Sequence, residues 1–265
     1  MSFLHPNAKL QKISLRKKQL WVVAYVNQHG QTGELAPPHP IPQQKLIEQA
    51  YADIEASQAG GADAVVLINE WCSLAELEAT VAACRSRYPQ AALGVNYLGD
   101  LSEPYGYRES FRLAQKYRLQ IVWTDFSGVD LIHERQPVDL QEIQRLRPPD
   151  VFYGSGVHMK YSTLRQPDKP IEASALQAMG WVDGVIVTGL KTGAACDPEN
   201  AWRARAAIGP YPLGVASGVA PENAHTIREA IDFFLVGSSL QDAEKRIVTT
   251  RVRALRDALG DELRN

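Results

Sequence analysis

The chain has 265 residues, 45% of them apolar and 22% charged, with a formal net charge of −2; a globular protein of this size and balance needs no disulfides or structural metal to fold. The near-neutral charge argues against a nucleic-acid binder, and no apolar run approaches the roughly 20 residues that cross a bilayer. Cys72, Cys84 and Cys196 are odd in number and far apart, without CxxC or Cys/His ligand spacing, which reads as reduced thiols of a cytoplasmic protein.

Residues 1–19 read as a basic arm or helix carrying Lys9, Lys12, Arg16, Lys17 and Lys18. No apolar h-region follows, so the segment is not a signal peptide. A solvated arm is expected; contact with anionic lipid is the alternative and would weaken steeply with salt.

From residue 20 to 265 a single unit recurs: a short β-branched apolar run, a polar loop and an amphipathic stretch. The apolar runs are Leu20–Val26, Ala64–Ile68, Ala92–Asn96, Ile121–Thr124, Val151–Val157, Gly184–Val187, Pro212–Ala216 and Phe233–Val236. Continuous rather than alternating hydrophobicity is expected of parallel strands buried on both faces. The intervening helical patterns are Gln43–Ala59, Leu74–Arg85, Tyr107–Tyr117, Leu140–Leu146, Glu172–Met179, Pro198–Ala207, Pro221–Ala230 and Ala243–Leu259. Gly60–Gly61 stops the first, while Pro198 and Pro221 open theirs with Glu199 and Glu222 at the positive end of the helix dipole. This periodicity predicts a single-domain α/β fold, a (β/α)8 TIM barrel of the phosphate-binding type. A doubly wound open sheet is the alternative, but the first turn, Asn27-Gln28-His29-Gly30-Gln31-Thr32-Gly33, lacks the GxGxxG fingerprint that fold would want.

A barrel places its active site at the carboxyl ends of the strands. The second predicted strand ends in Asn69-Glu70, the third in Asn96, the fourth in Thr124-Asp125, and the fifth runs into His158-Met159-Lys160. Glu70, Asp125, His158 and Lys160 converge if the barrel closes and are the expected catalytic residues, because a carboxylate and an imidazole in a low-dielectric mouth can divide acid and base roles. Alternatively, Glu70, Asp125 and His158 hold a divalent cation such as Mg2+, or His158 is a satisfied, half-buried histidine. Lys160 could form a Schiff base if burial lowered its pKa; pairing with a carboxylate or a substrate phosphate is the more ordinary role.

The turn after the sixth strand, Thr188-Gly189-Leu190-Lys191-Thr192-Gly193, offers hydroxyls and a lysine but is not a Walker A loop, and it also reads as a solvated loop. The seventh and eighth strands run into Ser217-Gly218 and Gly237-Ser238. Paired small-residue turns at these two positions are where phosphate-binding barrels hold their anion. Ser217, Gly218, Gly237 and Ser238, with Thr188 and Gly189, are therefore the expected phosphate residues; the plainer alternative is that the glycines only make tight turns. Asn96, Tyr25 and Lys191 are expected to line the substrate pocket. Tyr25, Trp71, Tyr97, Trp123, Phe126 and Tyr153 lie near strand ends, where they either wall a pocket or fill the barrel. The proline-bearing loop Gly33–Pro42 is long enough to close over a ligand.

Several blocks together resemble the BtpA family, also called BtpA/SgcQ. They are Gly61-Ala62-Asp63-Ala64-Val65, Leu93-Gly94-Val95-Asn96, Val157-His158-Met159-Lys160, Asp183–Gly189, Ser217–Asn223 and Val236–Leu240. The resemblance runs from the first strand to the last helix and implies a (β/α)8 protein related to phosphate-binding barrels. The family is named for a member affecting photosystem I accumulation; no residue here points to photosynthesis. Family members usually carry a histidine at the end of the first strand, where this chain reads Val23-Ala24-Tyr25-Val26, and Asn-Val-Leu-Ser-Gly after the fourth, where it reads Thr124-Asp125-Phe126-Ser127-Gly128. The expectation is an enzyme with isomerase- or lyase-type acid/base chemistry on a small phosphorylated ligand, such as a sugar phosphate or nucleotide-like compound. The competing expectation is a non-catalytic assembly or regulatory factor binding a metabolite or a protein. Neither calls for nucleic acid, and a homo-oligomer is compatible with both.

Overall fold

The strand-forming runs close on one another in a computed structural model that describes residues 5–27, 41–70, 72–99, 105–132 and 138–264. The barrel strands are β1 (Gln19–Asn27), β2 (Ala64–Glu70), β3 (Leu93–Asn96), β4 (Ile121–Thr124), β6 (Phe152–Gly156), β8 (Gly184–Thr188), β9 (Leu213–Ala216) and β10 (Phe233–Val236). They pair in parallel around a closed ring, with β1 meeting β10 through Trp21↔Leu235 and β2 through Trp21↔Ala64. The fold is therefore a TIM barrel; the open sheet is ruled out. Two further strands, β5 (Leu131–Ile132) and β7 (Thr163–Leu164), pair antiparallel and tie the loop after β4 to the loop after β6.

Aromatic side chains fill the barrel. Trp21 stacks on Phe233 at 4.4 Å between ring centroids and meets Phe152 edge-on at 5.4 Å. The strand glycines make this room, since a β-carbon on Gly214 would lie 2.2 Å from Phe233 and one on Gly184 would lie 2.6 Å from Phe152.

The outer helices are α2 (Gln43–Ala59), α3 (Leu74–Arg87), α4 (Gly106–Tyr117), α5 (Leu140–Leu146), α6 (Ile171–Ala178), α7 (Pro198–Ile208), α8 (Pro221–Ala224) and α9 (Thr249–Leu259). Two are shorter than their sequence pattern. After α8 the backbone tightens into successive three-residue turns, Thr226 to Asn223, Ile227 to Ala224 and Ala230 to Ile227. Residues 241–248 stay out of α9 because the buried Asp53 on α2 takes the Ile247 amide at 3.0 Å and the Arg246 guanidinium at 2.9 Å.

The amino-terminal helix α1 (Pro6–Ile13) corrects the picture of a solvated basic arm. Lys12 and Lys17 are exposed, but Lys9 is buried and donates to Asp183 Oδ2 at 3.0 Å and to the Val151 carbonyl at 3.1 Å, while Leu10 joins the barrel-filling cluster. Arg147 takes the other Asp183 oxygen. Removing the carboxylate would take from these two cations the counter-charge they share under the barrel floor. Asp183→Ala is therefore expected to cost about 3–5 kcal/mol, measured by urea unfolding; a loss under about 1 kcal/mol would show that the pair is not structural.

Candidate active site

The strand ends bring Tyr25, Lys160, Ser217, Gly218, Gly237 and Ser238 to one mouth, while Asn96 and Asp125 line a separate small cavity. Asp125, just past β4, accepts from Asn96 Nδ2 at 3.2 Å. Lys160, in the loop after β6, donates to Ser217 Oγ at 2.6 Å, and Ser217 Oγ in turn lies 3.2 Å from Thr188 Oγ1. Ser217 stands at φ 99° and Gly218 at φ 66°, a left-handed step that a non-glycine residue such as Ser217 seldom takes and that points its hydroxyl at Lys160.

Burial raises the Asp125 pKa, with Lys160 and the Asn96 hydrogen bond opposing the rise. It lowers that of Lys160, with Asp125 pulling it back up. These opposite shifts in neighbouring groups bring both closer to proton exchange than either would be in water. Tyr25, on β1, is pushed up to about 12 by burial and by the charge of Glu70, against a hydrogen bond with Ser238. Tyr25, Glu70, Asp125 and Lys160 thus share one electrostatic neighbourhood.

The mouth is a cavity of about 440 Å³ with Lys160, Tyr25, Trp123, Ser217 and the Gly237-Ser238 turn in its wall. Among the described residues, the amides of Gly218, Val219, Gly237, Ser238 and Ser239 meet no protein acceptor. Such unpaired donors, beside a lysine, suit an oxyanion. Asn223 braces the first of these turns, accepting from the Ala220 amide at 2.9 Å and donating to the Gly218 carbonyl at 2.7 Å.

Three expectations need correction. His158 does not join Asp125. Its backbone turns left-handed at φ 48°, and Nε2 lies 3.1 Å from Ser174 Oγ on α6 and 3.8 Å from Asp130 Oδ2. Burial holds its pKa below the ordinary histidine range, opposed by Asp130. Asp130 and Ser174 lie away from strand ends, so no spacing rule marks them. Second, Lys191 is exposed, beside Tyr161, and does not line the mouth. Third, Thr188 and Gly189 line a neighbouring cavity rather than the mouth; β-carbons at Gly189 and Gly218 would lie 2.1 and 2.2 Å from the Ala194 backbone, so packing also requires glycine at both.

Among the described residues, no three His, Cys, Asp or Glu side chains gather in a metal-holding group, so Glu70, Asp125 and His158 do not form the expected cation triad. Of the aromatics, Tyr25 and Trp123 wall the mouth, and Tyr97 and Phe126 flank a water-sized cavity beside Asn96 and Asp125. Tyr153 packs outside the barrel on Phe111 at 5.1 Å between ring centroids. His29, Trp71 and residues 33–40 of the proline-bearing loop lie outside the described residues.

No family model matches the chain. It is 27% identical over 217 residues to an uncharacterized protein of Pyrococcus abyssi (strain GE5 / Orsay), covering 77% of this chain and 82% of that one. A second uncharacterized protein, from Pyrococcus horikoshii, is 28% identical over 77% of this chain and 81% of its own. The barrel superposes on solved structures of low sequence identity. The (S)-3-O-geranylgeranylglyceryl phosphate synthase of Thermoplasma acidophilum, in complex with its substrate sn-glycerol-1-phosphate, matches at TM-score 0.60 and 14% identity, over 98% of this chain and 99% of that one. The phosphoribosyl anthranilate isomerase of Thermus thermophilus matches at 0.56 and 15%, over 91% and 98%. The tryptophan synthase alpha subunit of Legionella pneumophila matches at 0.60 and 15%, over 97% and 99%. At these identities the likeness is one of fold. Among the described residues, no helix is long and apolar enough to cross a membrane.

Proposed function

We propose that this chain is a cytoplasmic enzyme of the BtpA type that acts on a small phosphorylated metabolite by acid/base chemistry of the isomerase or lyase kind. The observation that carries the reading is Lys160, which bonds Ser217 in the anion turn and feels the charge of Asp125. The phosphate rests on the amides and hydroxyls of Ser217, Gly218, Gly237 and Ser238. Lys160 neutralises charge that develops on the substrate, and Asp125, its pKa raised by burial, moves the proton. Tyr25 completes the wall around the reacting end, and the charge of Glu70 reaches it there. The three named solved structures include two whose names contain a phosphorylated compound, which agrees with this substrate class.

The turning away of His158 favours a second reading, a regulatory barrel that binds the same ligand without turnover. Thermal shift separates the readings from failure of both. Sugar phosphates, nucleotides and inorganic phosphate, with and without Mg2+, are expected to raise Tm; a ligand at about 100 times its Kd adds roughly 2.7 kcal/mol. With the best ligand as substrate, Asp125→Asn is expected to lose about 100-fold or more in kcat while keeping the Tm rise. Unchanged turnover removes Asp125 from catalysis, absence of turnover in the unmodified protein favours the regulatory barrel, and absence of any Tm rise defeats the phosphate site.

A further inference from the structure

A second cavity, of about 310 Å³, opens between the loops that follow β6 and β8. It lies on the same barrel face as the mouth, and Lys160 is part of both walls. Thr188 lines the second cavity while its hydroxyl touches Ser217 of the first. The partition between them is thus a few side chains thick, with the Lys160 ammonium in it.

The two cavities offer a ligand different groups. The mouth carries unpaired amides and hydroxyls, whereas the side cavity sets Tyr161, Leu164, Ile171 and Leu190 against His158 and Asn200. At its rim stand the two most exposed of the large apolar side chains on the described surface, Leu190 at 93% and Tyr161 at 64% exposure. Large apolar side chains held in water beside a concave space mark a surface that a ligand covers. Their position is built in: Tyr161 takes a left-handed backbone at φ 61°, and its hydroxyl accepts from the Thr192 amide at 3.0 Å, which fixes the loop bearing Leu190. The volume suits a single ring or a short chain rather than a protein segment.

We propose that the side cavity takes the apolar body of the ligand whose phosphate lies in the mouth, so that the substrate class is a phosphate ester carrying a ring or comparable apolar group. The inference rests on the phosphate reading above and narrows it. Lys160 then stands where the two halves of the ligand join, and His158, turned out of the mouth, faces the apolar half.

Calorimetric titration of the full chain with methyl phosphate and with phenyl phosphate tests it. Burial of a ring is expected to make phenyl phosphate bind about tenfold or more tightly than methyl phosphate. Leu190→Ser, which removes an exposed side chain, and Asn200→Phe, which fills the cavity from α7, should each erase most of that advantage and leave methyl phosphate affinity unchanged. Equal affinity for the two esters, or an advantage that survives both variants, overturns the inference while the phosphate site stands. Failure of both esters to bind overturns the phosphate site and the inference with it.

Discussion

Lys160→Met is expected to weaken inorganic phosphate binding by about 10- to 100-fold, the loss of one charge-assisted hydrogen bond, with little change in Tm. The two effects separate because the ammonium is held at the mouth against desolvation: burial lowers its pKa, so its charge does little for the folded state. The same shift sets a pH dependence. A lysine whose pKa is lowered gives up its proton below the ordinary lysine range, so phosphate affinity should fall as pH rises through that lowered value, while the phosphate itself is already a dianion. Titration calorimetry between about pH 7.5 and 10.5, the range that runs up to the ordinary lysine pKa, should show this decline in the unmodified protein and a flat, weak profile in Lys160→Met. A decline of the same shape in the variant would assign the titration to another group.

Gly218→Ala is expected to destabilise the barrel by about 2–5 kcal/mol, combining a left-handed backbone with overpacking, or on the order of 10 °C in Tm for a chain of this size. The reason is local. At φ 66° an L side chain is strained, and its β-carbon would sit 2.2 Å from the carbonyl carbon of Ala194 in the loop after β8. Backbone cannot swing aside as a flexible side chain can, so the loop carrying Thr192 and Gly193 into the mouth must shift. A stability change below about 1 kcal/mol, read by thermal unfolding, would mean that the 194–195 loop yields freely. This makes Gly218 a poor probe of ligand binding, since any lost affinity would follow lost structure. Ser238, exposed at the opposite turn, is the cleaner position.

Much of this protein was legible in one dimension. The eight continuous apolar runs match the barrel strands to within about two residues, because a strand buried on both faces must be apolar throughout, and that demand is written locally. Strand ends are legible for the same reason, and Lys160, Ser217 and the Gly237-Ser238 turn, all read from strand ends, line one mouth.

What the sequence could not determine begins one residue past each strand, where backbone torsion and loop packing take over from periodicity. His158 and Lys160 are two residues apart in one turn, yet a left-handed step sends the imidazole to Ser174 and Asp130 while the ammonium enters the mouth. Gly218 also sits where its turn presses on the backbone of the loop after β8, a contact between segments that no spacing rule connects. Lys9 looked like one more solvated cation in a basic run, and Asp183, far along the chain, draws it under the barrel floor. Hydrophobic continuity is a property of neighbours in the chain and decided the barrel; the direction of a side chain beyond a strand end is a property of neighbours in space, and only the closed barrel supplied them.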